Sequence, residues 1–185
     1  MIILLRFYKQ LALLDLKKLG GPLAKYFDYC LEDEFWGEKS WEKAESKILK
    51  ETVNSVILKS GISATEIDYC FAGDLLNQCI SSSFGLRNLG IPFFGIFGAC
   101  STFVESLCLG SVFIDGNGAN NVLCATSSHF CSAEKQFRFP LELGNQRPQS
   151  SQWTVTGSGA AILSSSGNGP HVTTITPREN CRYGN

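Results

Sequence analysis

The sequence predicts an α/β fold in which helices cover both faces of a mostly parallel sheet. Uncharged, strand-like runs alternate with helical segments, joined by links that permit right-handed crossovers. Of 185 residues, 44% are hydrophobic and only 18% charged, below the usual quarter. The charge is also uneven: residues 1–60 hold 19 of the 33 charged side chains (10 basic, 9 acidic). The rest is composed for burial, as strands covered on both faces are, or for half of an interface. The length fits one domain or part of a larger one. A net charge of -1 excludes the basic footprint of a nucleic-acid-binding protein. No apolar run reaches the roughly 18 residues that a membrane span requires.

Taken in order, Met1 to Gly21 is apolar and basic, with Ile3, Phe7, Leu11 and Leu14 at a loose helical spacing, which reads as an amphipathic segment. Tyr26 to Trp41 interleaves aromatic rings with Asp28, Glu32, Asp33, Glu34 and Glu38 and reads as a surface loop anchored by its rings. Trp41 to Ser60 is the clearest helix, capped by Ser40 and ended by Gly61. Its apolar stripe is Trp41, Ala44, Ile48, Val53, Val56 and Ile57; Glu42, Lys43, Lys47 and Lys50 fall outside it. It is expected to bury one face and carry no chemistry. Strands follow at Tyr69 to Gly73, Phe93 to Phe97, Asn121 to Ser127 and Trp153 to Ser164, with helices at Ser82 to Leu89 and Ser101 to Asp115. Gly90-Ile91-Pro92 and Gly116-Asn117-Gly118 supply turns.

Eight cysteines allow three readings. Arg6, Lys9 and Asp15 break any signal peptide, which disfavours a secreted disulfide scaffold. Zinc wants closely paired ligands, yet there is no Cys-x-x-Cys and the only histidines are His129 and His171. No metal or cofactor is expected. Most of the thiols read as small buried apolar groups in a reducing compartment. Cys100 differs. In Phe93-Phe94-Gly95-Ile96-Phe97-Gly98-Ala99-Cys100-Ser101-Thr102 an apolar strand runs through small residues to a thiol at a helix start. Unpaired amides and the helix dipole favour a thiolate there, and small neighbours admit a ligand. Spacing alone leaves packing and nucleophilic use both open.

Cys100 before a helix of small residues, the strand Val122 to Ser127, and Thr156-Gly157-Ser158-Gly159-Ala160-Ala161 entering a strand together resemble the thiolase superfamily. Longer blocks are similar to one of its branches, the stage V sporulation AD family of spore-forming Firmicutes. They are Ala72-Gly73-Asp74-Leu75-Leu76-Asn77-Gln78, Gly95 to Thr102, Thr126 to Phe130, Glu134 to Pro140 and Gln152 to Ala160. The resemblance implies a thiolase-like fold that binds dipicolinic acid and helps move it into the developing spore. It implies a cytoplasmic location in the sporulating cell, peripheral to the spore inner membrane. Its partners would be dipicolinic acid or its calcium chelate, membrane proteins of the same stage V sporulation A operon, and a second copy in a homodimer. In the superfamily's condensing enzymes a cysteine at the position of Cys100 carries the acyl group, but the catalytic histidine and its partner come from the second half of the fold. Cys100 is catalytic only if the chain is an acyl transferase, and these residues offer no base for it.

A planar dianion wants amides, an arginine fork and a flat apolar wall. The candidate ligand-binding residues are Cys100, Ser101, Thr102, Asp74, Asn77, His129 and Arg138, with Arg147 as a second fork and Phe137 and Phe139 as the wall. Asp74 would repel a dianion, so its expected part is to orient neighbours or meet the ligand through a metal. His129 is open to a structural or a pocket role. Both ends depart from the family pattern. The codons of residues 178–184, read one base later, can encode Gly-Lys-Ile-Val-Asp-Met-Gly, and a shifted frame over residues 11–21 also suits the family. The expectation is that residues 1–20 and 177–185 are frameshifted tails around the first half of a thiolase-like domain at residues 21–176.

Overall fold

In the computed structural model the structure describes residues 3–8, 26–31, 33–76, 79–137 and 155–176. The elements are β1 (Ile3–Tyr8), α1 (Trp41–Ser60), β2 (Tyr69–Asp74), α2 (Ile80–Leu86), β3 (Phe93–Gly95), α3 (Thr102–Asp115), β4 (Asn121–Ser128), α4 (Phe130–Phe137), β5 (Gly157–Ser164) and β6 (His171–Val172). The strands form one six-stranded sheet in the order β3-β2-β4-β5-β1-β6. Parallel pairing joins β2 to β3 and to β4, whereas β4–β5, β5–β1 and β1–β6 are antiparallel. Four strands, β1 to β4, therefore run one way, and β5 and β6 run against them.

Helix α1 forms where the sequence places it, because both ends are closed. Ser40 Oγ accepts from the Lys43 amide at 3.3 Å, and Gly61 takes the left-handed conformation at φ 71. Its inner face buries Leu49, Val53 and Val56 against Cys70, Ala72, Leu123, Ala125, Ala160 and Ile162. Each such aliphatic burial contributes about 1.5–3 kcal/mol. The alternate residues Phe71, Val122, Cys124 and Leu163 pack with Ile114 and Ala119 on the opposite face, under α3. The period-2 alternation of the strands thus builds two apolar layers with a helix on each side. Gly110 lets α3 approach closely: a Cβ there would lie 2.8 Å from Leu163 Cδ1 and 2.9 Å from Val122 Cγ1.

Several expectations change. Residues 3–8 form a strand, not a helical segment: β1 takes the free edge of β5, pairing Leu4 with Ser164 and Tyr8 with Ala160, and satisfies backbone groups that β5 would otherwise leave open. Strand β3 ends at Gly95, two residues short of the expected Phe97. Helix α2 begins at Ile80 and stops at Leu86. Helix α4 was not anticipated; it begins directly after β4. Of the expected strand at Trp153 to Ser164, β5 begins at Gly157, and Trp153 and Thr154 lie outside the described residues. Lys47 is not simply outward: its Nζ donates to Trp36 O at 2.7 Å and sits 4.9 Å over the Trp36 ring, pinning the aromatic loop to α1. Phe93, Phe94 and Phe97 on the β3 side, and Val104 and Val112 on α3, remain exposed. Among the described residues, no helix is long and apolar enough to cross a membrane.

Candidate functional site

The Cys100 turn is built from short-range constraints. After β3 the Ile96 amide still donates to Ala72 O at 3.0 Å, holding the chain beside β2. Gly98 follows, then Ala99 with φ 48, a left-handed conformation costing an L-residue about 1–2 kcal/mol. Buried Thr102 ties this strained corner down: its Oγ1 accepts from the Gly98 amide at 3.0 Å and donates to Ala99 O at 2.9 Å. Ser101 Oγ donates to Gly98 O at 2.7 Å. The result is a one-turn 3-10 segment, Ala99–Ser101, leading into α3, with Cys100 exposed at its centre. Cys100 therefore precedes the α-helix proper, and what the geometry gives the thiol is access. The Glu105 carboxylate, in the first turn of α3, stands where a Cβ on Gly98 would be.

Gly73 sets this turn against the sheet. A Cβ on Gly73 would overlap Ile96 O and lie 2.8 Å from Thr102 Cγ2, so only glycine allows the approach. Thr126 Oγ1 donates to Gly73 O at 3.1 Å, fixing the end of β2 to β4.

Two of the expected ligand residues lie elsewhere. Asp74, one residue beyond Gly73, is on the opposite face and 1% exposed. Its Oδ1 accepts from the Leu76 amide at 2.9 Å, and its Oδ2 accepts from the Ser82 amide at 2.8 Å and Ser82 Oγ at 2.6 Å. It anchors α2 and is not presented beside Cys100. His129 is buried, with Nε2 2.8 Å from Glu34 O and Nδ1 accepting from the Cys131 amide at 3.2 Å. That assigns the ring proton to Nε2, as a donor to the carbonyl. Burial pushes the imidazole below its usual range, against the smaller opposing effects of the Glu34 carbonyl and the Glu34 and Glu42 charges. His129 is thus the structural residue, joining α4 to the aromatic loop. Asn77, Arg138, Arg147 and Phe139 lie outside the described residues.

Sequence reading missed Glu45. It sits at 0% exposure on the inner face of α1, a helix expected to carry no chemistry. Ser127 Oγ and Ser132 Oγ each donate to its carboxyl at 3.1 Å. Burial first, and the charge of Asp74 second, push the carboxyl up to about 7, against the opposing effect of the serine hydroxyls. The signal was present: Glu45, Ile48, Leu49 and Thr52 share one helical stripe. Among the described residues, no cluster of three metal-ligating side chains occurs.

Comparison with known proteins follows the same lines. The model of the family described as Stage V sporulation protein AD (SpoVAD) matches residues 11–184. Stage V sporulation protein AD of Bacillus subtilis (strain 168) is 41% identical over 160 residues, covering 86% of this chain and 47% of that protein. The chain thus spans about half the length of the curated relative it matches. Among solved structures, 3-oxoacyl-[acyl-carrier-protein] synthase III from Aquifex aeolicus VF5 aligns with a TM-score of 0.52 at 16% identity, over 90% of this chain and 54% of that one. Xanthomonas campestris OleA H285N aligns with a TM-score of 0.55 at 12% identity, over 89% of this chain and 56% of that one. At these identities the structures establish the fold alone, the thiolase-like α/β fold of condensing enzymes.

Proposed function

The chain belongs to the stage V sporulation protein AD family, and on that premise we propose that it is a sporulation protein that binds dipicolinic acid and supports its uptake into the developing spore. What supports this reading is the family match together with the Cys100 turn, an exposed thiol on a corner of small residues. Cys100 offers an exposed thiol, at a corner of small residues beside the start of α3, to a planar carboxylate ligand. The Glu105 carboxylate beside Gly98 weighs against a bare dianion and favours the calcium chelate, whose cation offsets it. The working location is cytoplasmic, peripheral to the spore inner membrane, with membrane proteins of the same operon and a second copy of the protein as partners.

The second reading, acyl transfer from Cys100, rests on the condensing-enzyme fold. Titration calorimetry of the chain with dipicolinate, with and without calcium, separates the two. Binding that survives Cys100→Ser is the expected result. No heat with either form, together with a covalent acyl adduct on Cys100 after exposure to an acyl-CoA, would replace binding by catalysis.

A further inference from the structure

We draw no further inference here: the strongest candidate, the exposed apolar surface formed by Phe93 and Phe94 on the edge strand β3, Phe97 after it, and Val104 and Val112 on the outer side of α3, has nothing among the described residues to show what covers it.

Discussion

Gly73→Ala is the sharpest test of how the Cys100 turn is positioned. The added methyl meets two obstacles at once. Ile96 O is backbone, held by the Ile96 amide's bond to Ala72 and accepting from Cys79 Sγ at 3.3 Å. Thr102 Cγ2, 2.8 Å from the new Cβ, belongs to a side chain fixed by two hydrogen bonds of 3.0 and 2.9 Å. Neither can rotate away, so the turn from Ile96 to Thr102 must lift off the sheet. Overpacking of this kind costs roughly 1–3 kcal/mol, and a rigid backbone obstacle puts Gly73 at the upper end, about 3 kcal/mol. For a chain of this size that is a fall in melting temperature of roughly 6–12 °C. Gly159→Ala in β5 is the matched control, since a Cβ there meets nothing within 4 Å. It should change stability by no more than about 0.5 kcal/mol, or raise it slightly by restricting the unfolded chain. Thermal melts by circular dichroism compare the two, and alkylation of Cys100 reports the displaced turn. Should Gly73→Ala melt within about 2 °C of Gly159→Ala, the close approach of β2 and the Cys100 turn is wrong.

Thr102→Val keeps the shape of the turn but strips its two hydrogen bonds, leaving the Gly98 amide unpaired; it should cost about 1–3 kcal/mol and alter the alkylation rate of Cys100, read by melting and by mass spectrometry. His129→Gln should flatten the acid limb of the stability curve. The imidazole is held below its unfolded value of 6.5, so its contribution is present above that pH and lost as pH falls through the folded value, which urea unfolding across mildly acidic pH will measure. Among the described residues, the thiols should alkylate in order of exposure. Of these Cys100 reacts first; Cys70 and Cys124, both buried and the latter pushed up to about 12, react only on unfolding, and mass spectrometry of the peptides assigns each rate. Rapid labelling of Cys70 or Cys124 in the folded chain would contradict the packing of the sheet.

The residues themselves account for what could be read in advance. Helix α1 was visible because Ser40 and Gly61 bracket an apolar stripe, and β2 and β4 because they are uncharged and bounded by polar turns. The Cys100 turn was visible because Gly98, Ala99 and Ser101 leave a thiol with no bulky neighbour. Strand β1 was not, since a short apolar run fits both periods and the deciding influence is the edge of β5, more than 150 residues away. Glu45 was missed for a related reason. Charge marks the outer face of most helices, but position outranks residue type, and the stripe through Ile48 and Thr52 carries Glu45 inward.

Asp74 shows how the pleat decides chemistry that residue type leaves open. Its place at the carboxyl end of a parallel strand is where ligands of such sheets gather, and that is what grouped it with Cys100. The side chains of a strand alternate, however, and Phe71 and Gly73 face α3 while Cys70, Ala72 and Asp74 face α1. Gly73 therefore serves the Cys100 turn by having no side chain, and Asp74, its immediate neighbour, serves the buried pocket of Glu45. The two chemistries share a strand end but not a face. The Glu105 carboxylate thus stands on the Cys100 side of the sheet, while Asp74 lies on the other side, where its bonds to the Leu76 and Ser82 amides hold the start of α2.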